Sequence, residues 1–205
     1  ALLIAVYWLS FRQFASGGLG ATPAAVFSGD WWRAWSAVFV HADGAHLAAN
    51  TPLLALFGFL NAAYVHPSAL LFGVLVTGAT NFLVLWGMPA QTGLLGASGL
   101  VHWLGAFWLV LHVLVDRRAR WRPRFGSALF LALLLFTPAV YEPRTSYAAH
   151  AWGFLGGGLS AVLVWGLWKR SFATAEEWIA AEVVEDQIGE GWRLPSPEQN
   201  ESMRP

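Results

Sequence analysis

The stretch GLLGASGLVHW, residues 93–103, sets a serine between two small residues and a histidine four positions later, inside a chain that is otherwise mostly apolar. A polar side chain at membrane depth is costly unless it is paired or functional. Whether this stretch enters lipid at all therefore decides the fold, and the composition around it answers that. Of 205 residues, 57% are hydrophobic and only 12% charged, with 13 Trp and 14 Phe. Such a chain is too apolar for a soluble domain to cover its own surface. The reading is an all-α polytopic membrane protein whose surroundings are the lipid bilayer. The formal net charge is zero, and nothing points to a nucleic-acid partner. The absence of cysteine excludes disulfides and thiolate chemistry. No cleavable signal peptide is evident, and a chain opening on Ala1 is expected to have been trimmed from its native start.

A spanning helix needs about 20 mostly apolar residues. Five runs qualify, at 46–65, 67–88, 96–115, 125–141 and 146–168, and the opening run 1–14 makes a shortened sixth. Between the first two spans lies SGDWWRAWSAVFVHADGAH, whose Trp31, Trp32 and Trp35 suit the headgroup region, where an indole keeps its body in lipid and its N–H in water. Arg33 is expected to anchor this loop at the headgroups. Arg117, Arg118, Arg120, Arg122 and Arg124 follow the third full span, and Lys169 with Arg170 follows the last. Short basic loops stay in the cytoplasm. The N-terminal ends of the spans starting near residues 46, 96 and 146 then face outward, and both termini lie inside.

The chain divides into a membrane domain, 1–170, and a cytosolic acidic tail, 171–205. Eight acidic residues lie at or beyond Glu176. Thr174 and Glu177 have the spacing of a capping box, which predicts a short cytosolic helix starting there. Beyond Gly189 the Pro, Glu, Asn and Ser content predicts disorder.

Three spans carry polar residues near their outward ends. Ser98 is roughly a half-turn into its span at about 1.5 Å per residue, and His150 is about one turn below Ser146. His46 and Asn50, spaced i, i+4, share one helix face. Taken singly, such a serine bonds back to its own backbone or packs as a small residue, and a lone His or Asn bridges helices. Jointly they meet the needs of chemistry on an amide, which are a nucleophile, a base and donors for a developing oxyanion. Gly96 and Gly99 flank the serine and permit a loop-to-helix turn, while Gly153 and Gly157 continue from His150 as a small-residue seam suited to close helix approach. His66 is expected to be solvated in a cytoplasmic turn and His112 to be a packing partner.

These residues carry a family resemblance. GASG (96–99), HLAAN (46–50) and AHAWGFLGG (149–157) resemble the rhomboid intramembrane serine protease motifs G-x-S-G, H-x-x-x-N and A-H-x-x-G-x-x-x-G. Trp32 and Arg33, followed by FVH ending at His41, resemble the family's first external loop. The resemblance implies a six-transmembrane-helix rhomboid-like bundle and a Ser-His dyad. Ser98 would attack the scissile carbonyl and His150 would take and return the proton, while His46, Asn50 and the Ser98 backbone N–H would bind the oxyanion. The implied partners are single-span transmembrane protein substrates, cut near the outer end of the span. No cofactor and no metal are implied.

His41, His46 and Asn50 are expected to supply a wet cavity. Where many rhomboids carry Tyr, four residues after the nucleophile, this chain has His102, one turn below Ser98 on the same face, placed to stack on His150, to donate to it or to compete with it as a base. The pattern G-x-S-G-x-x-H also resembles the rhombosortase branch, which processes C-terminal sorting tails. The short core implies a bacterial inner membrane, with the site toward the periplasmic or extracellular side. Two rival readings are an inactive relative that binds membrane clients, against which both Ser98 and His150 are retained, and a polar-lined carrier, against which the inner halves FWLVLHVLV and LSAVLVWGLW are almost wholly apolar. The histidines also lack the H-E-x-x-H spacing of membrane metalloproteases.

Overall fold

The computed structural model describes residues 18–115, 121–136 and 145–189. Within them the chain forms two short helices, α1 (Pro23–Phe27) and α2 (Arg33–Ser36), a 3₁₀ turn at Ala37–Phe39, and five longer helices. These are α3 (Gly44–Tyr64), α4 (Ala69–Trp86), α5 (Ser98–Val115), α6 (Trp121–Phe136) and α7 (Tyr147–Gly189). No strand occurs among the described residues, and one isolated bridge pairs Ala21 with Leu94.

Four helices are long and apolar enough to cross a membrane: α3, α4, α5 and the part of α7 from Tyr147 to Thr174. They match four of the expected spans to within about two residues at each start, the scatter normal for helix ends. The expected span at 125–141 is represented by α6, which already includes Trp121 and is described as far as Phe136. Residues 137–144, and the opening run 1–14 that would make the sixth span, lie outside the described residues.

The tail differs from expectation. No helix starts at Thr174; α7 runs unbroken from Tyr147 to Gly189. The Thr174 hydroxyl donates to the Arg170 carbonyl 3.0 Å away, one turn back in the same helix. Residues 169–188 contain neither Pro nor Gly and include several good helix formers, so a helix leaving the membrane has no reason to stop before Gly189. The expected disordered end, 190–205, lies outside the described residues.

α5 is the central helix, packing against α3, α4, α6 and α7. Its Trp103 is fully buried and stacks on Phe107, 4.7 Å between centroids, with Phe72 of α4 edge-on at 5.4 Å. This is the offset and edge geometry that aromatic quadrupoles favour. Asn61 of α3 joins the packing from the polar side: buried, it donates through Nδ2 to the Leu104 carbonyl of α5 at 3.0 Å and to the Phe57 carbonyl of its own helix at 2.8 Å.

The loop 18–43 packs along one end of the bundle. Thr22 caps α1 by accepting from the Ala25 amide, with Pro23 in the first turn, where its missing N–H costs nothing. The Trp35 indole donates to the Leu75 carbonyl and lies on Gly78, and Asn81 of α4 donates to the Ala34 carbonyl at 2.7 Å. Trp31, Trp32, Phe27 and Phe39 remain exposed, as side chains meeting a membrane interface would be. Arg33 pairs with Asp30 at 2.8 Å and lies over the Trp32 ring. The spacing i, i+3 brings the two charged side chains together within one turn.

Candidate active site

The first turns of α3, α5 and α7 meet at one end of the bundle around a cavity of about 760 Å³. Each start has a local cause. Asp43 caps α3, its carboxylate accepting from the His46 amide at 2.8 Å. The Ser146 hydroxyl accepts from the Ala149 amide at the start of α7. α5 begins at Ser98 after Gly96, whose φ of +113° is open only to glycine without strain. A Cβ on Gly96 would strike the His46 ring, so this glycine both makes the turn and seats that imidazole.

The consequence is that Ser98, His150, His46 and Asn50, from three helices, all line the same cavity. Ser98 opens α5, where unpaired amides and the helix dipole favour negative charge. Asn50 is nearly buried and donates through Nδ2 to the His46 carbonyl at 3.0 Å. The Ser98 hydroxyl and the His150 imidazole face one space and are not hydrogen-bonded to each other in this structure. Catalytic hydrogen bonds are commonly longer without substrate and tighten in the reactive complex.

Two rings contact His150. His102 stacks on it, 4.0 Å between centroids and 16° from parallel, and Tyr147 meets it edge-on at 5.9 Å. His102 is itself fixed, because its Nδ1–H donates to the Ser98 carbonyl at 2.7 Å. A carbonyl can only accept, so Nδ1 of His102 carries the proton.

The glycine seam has the predicted geometry. A Cβ on Gly153 would collide with the Gly99 carbonyl, and one on Gly157 with the Trp103 carbonyl. α5 and α7 therefore touch backbone to backbone, as small residues allow in membranes. Gly99 also faces Thr77 of α4 and the Ala149 carbonyl.

His41 departs from its expected place. It is buried, 4% exposed, and does not line the cavity. Its Nε2 accepts from the Ala97 amide at 3.3 Å, and its ring meets His46 edge-on at 5.2 Å. The segment before it turns inward at Val40, fully buried, which carries the imidazole under the 93–97 turn instead of toward water. Burial, and then the neighbouring His46, push the His41 pKa down to about 4, with the Phe39 backbone opposing. His41 is a neutral acceptor at physiological pH.

Among the cavity residues that escaped the sequence reading are Thr77 and Asn81 of α4. They lie at the middle and in the C-terminal half of that helix, whereas the other helices reach the cavity through their first turns, so α4 runs antiparallel to α3, α5 and α7. Their i, i+4 spacing within VTGATNFLV was the available signal. Among the described residues no three of His, Cys, Asp or Glu converge as a metal-binding group. His66 lies exposed with its Nδ1 near Ser68, and His112 stacks on Trp108 at 5.2 Å.

No curated protein matches the chain. The family model described as the Rhomboid domain matches residues 28–167, a stretch that holds Ser98, His150, His46 and Asn50, the His41 contact and the glycine seam. That match covers well over half of the sequence and agrees with an all-α bundle of apolar helices: the chain is an integral membrane protein belonging to the rhomboid family.

Proposed function

We propose that this protein is an intramembrane serine endopeptidase working through a Ser98–His150 dyad. The observation that carries the reading is that a serine opening one helix and a histidine in the first turn of another line one cavity, with His46 and Asn50 contributed by a third. Ser98 Oγ attacks the carbonyl carbon of the scissile peptide, and its proton passes to His150. The oxyanion so formed is met by the Ser98 N–H at the start of α5, by Asn50 and by His46. The C–N bond breaks as His150 returns the proton to the leaving amine, leaving an acyl ester on Ser98. Water, deprotonated by His150, then attacks the ester and restores the hydroxyl.

A dyad suits this depth. An ionised carboxylate near lipid is expensive, whereas a hydroxyl and a neutral imidazole can be buried uncharged. The imidazolium arises only beside the oxyanion, and opposite charges in a low dielectric stabilise each other. His102, stacked on His150, supplies the orienting surface that a third triad member would otherwise provide. The substrates are single-span membrane proteins cut near the outer end of their span. The site faces the periplasmic or extracellular side of a bacterial inner membrane and the termini are cytoplasmic. The serine-to-His102 spacing favours the rhombosortase branch, with C-terminal sorting tails as the substrate class.

The test is cleavage of a single-span substrate by the purified protein in detergent. Ser98→Ala and His150→Ala are each expected to reduce cleavage to background while the variants keep the wild-type melting profile. Normal turnover by the Ser98 variant ends the reading.

A further inference from the structure

We infer that His41 is a positioning residue of this site, a buried strut that aims the Ser98 amide at the oxyanion by holding the amide just before it. The inference rests on the proposed protease reading.

Three consecutive amides lead into α5, and each has a different fate. The Gly96 N–H donates to the Ala37 carbonyl at 2.9 Å. The Ala97 N–H donates to His41 Nε2 at 3.3 Å. The Ser98 N–H, first in its helix, has no intrahelical acceptor, and Ser98 lines the cavity. Both bonds ahead of Ser98 end on the loop 37–41, so that loop grips the turn at two successive points. Fixing the planes of those two peptides leaves little freedom for the third.

The grip is dry. Ala97 and His41 are each 4% exposed, so an Ala97 N–H without its partner would be a buried, unsatisfied donor. The same imidazole touches His46 edge-on, and His46 in turn covers Gly96. One buried ring thus sets both the turn that presents the Ser98 N–H and the histidine facing the oxyanion from α3.

Only a neutral ring can do this, because protonated Nε2 has no lone pair for Ala97. The titratable group facing His41 is His46 of α3, the helix that Asp43 caps. The 3₁₀ turn Ala37–Phe39 and the turn 93–97 bring no titratable side chain. Among the described residues no acidic side chain pairs with the ring, which agrees with the low proton affinity of His41.

The experiment compares wild type, His41→Leu and His41→Gln in detergent for kcat, KM, melting temperature and pH profile. Leu fills the volume but cannot accept; Gln offers an amide oxygen that accepts and does not titrate. His41→Leu is expected to lower kcat roughly 10- to 100-fold with KM within about twofold, the signature of a lost transition-state interaction. His41→Gln should recover much of that kcat and lack the steepening of the acid limb expected of wild type as pH falls toward 4. A folded Leu variant with wild-type kcat overturns the inference. So does a Gln variant whose kcat and acid limb match those of Leu or of wild type. If Leu does not fold, the Gln pH profile alone decides. Labelling of wild-type Ser98 by a fluorophosphonate separates the two failures: an unlabelled wild type sinks the protease reading, whereas a labelled wild type with unaltered His41 variants sinks only the strut.

Discussion

The imidazoles of His102 and His150 lie stacked, 4.0 Å between centroids and 16° from parallel, with His102 pinned by its Nδ1–H to the Ser98 carbonyl. The Ser98 backbone therefore orients the ring that stacks on His150. One turn of α5 separates Ser98 from His102, and through that stack it links the two members of the proposed dyad.

Substituting His102 separates support from chemistry. An aromatic pair contributes about 0.5 to 1.5 kcal/mol beyond its area, so His102→Ala should lower kcat by up to about tenfold. His102→Phe keeps a flat ring and loses only the Nδ1–H bond, and its kcat should lie closer to wild type. Complete loss in the Phe variant, measured as cleavage of a single-span substrate, would make His102 a proton carrier instead.

Asn50 lines the cavity one turn below His46 and already donates to its own helix through Nδ2. Each amide nitrogen carries two hydrogens, which leaves one for the oxyanion. Asn50→Ala should cut kcat by about 10- to 1000-fold with little change in KM. A wild-type rate would reduce Asn50 to a packing residue.

At Gly157 a Cβ would meet the Trp103 carbonyl, whereas at the adjacent Gly158 it would meet only the Val110 methyl at 3.9 Å. Gly157→Ala should destabilise the bundle by about 1 to 3 kcal/mol and lower turnover by displacing His150 from Ser98. Gly158→Ala should change neither. Thermal unfolding in detergent, run beside the cleavage assay, reads both.

Asn61 bridges α3 and α5 through the Leu104 carbonyl and leaves its own Oδ1 buried without a partner. Cross-helix hydrogen bonds in membranes contribute about 0.6 kcal/mol on average and up to roughly 1.7. Asn61→Ala, which adds a void, should therefore cost more stability than Asn61→Leu, which fills the space and removes the orphan acceptor. Equal losses in unfolding experiments would show that the hydrogen bond outweighs the packing.

Much of this architecture is legible in the chain itself. Apolar runs place the helices because lipid admits no unpaired backbone, and their lengths follow from the rise per residue. The i, i+4 spacing of His46 and Asn50, and the i, i+3, i+7 spacing of His150, Gly153 and Gly157, put each set on one helix face. Those patterns sufficed to bring four side chains from three helices to one depth. Reading the tail as a separate helix failed because a capping box is local, while helix continuation depends only on the absence of a breaker; none occurs before Gly189.

What the tertiary structure alone decided are the partnerships between elements. His41 reads in sequence as one more polar residue near water, yet it lies under the turn that leads into Ser98, bonded to an amide 56 residues away. Asn61 reads as an isolated polar residue in an apolar run and proves to be the bridge between α3 and α5. Arg33 pairs with Asp30 across one turn of the loop. Sequence determines which face of a helix is polar and how deep it sits. Which neighbour that face meets depends on how the helices rotate and cross, and here the backbone contacts at Gly153 and Gly157 set that for α5 and α7.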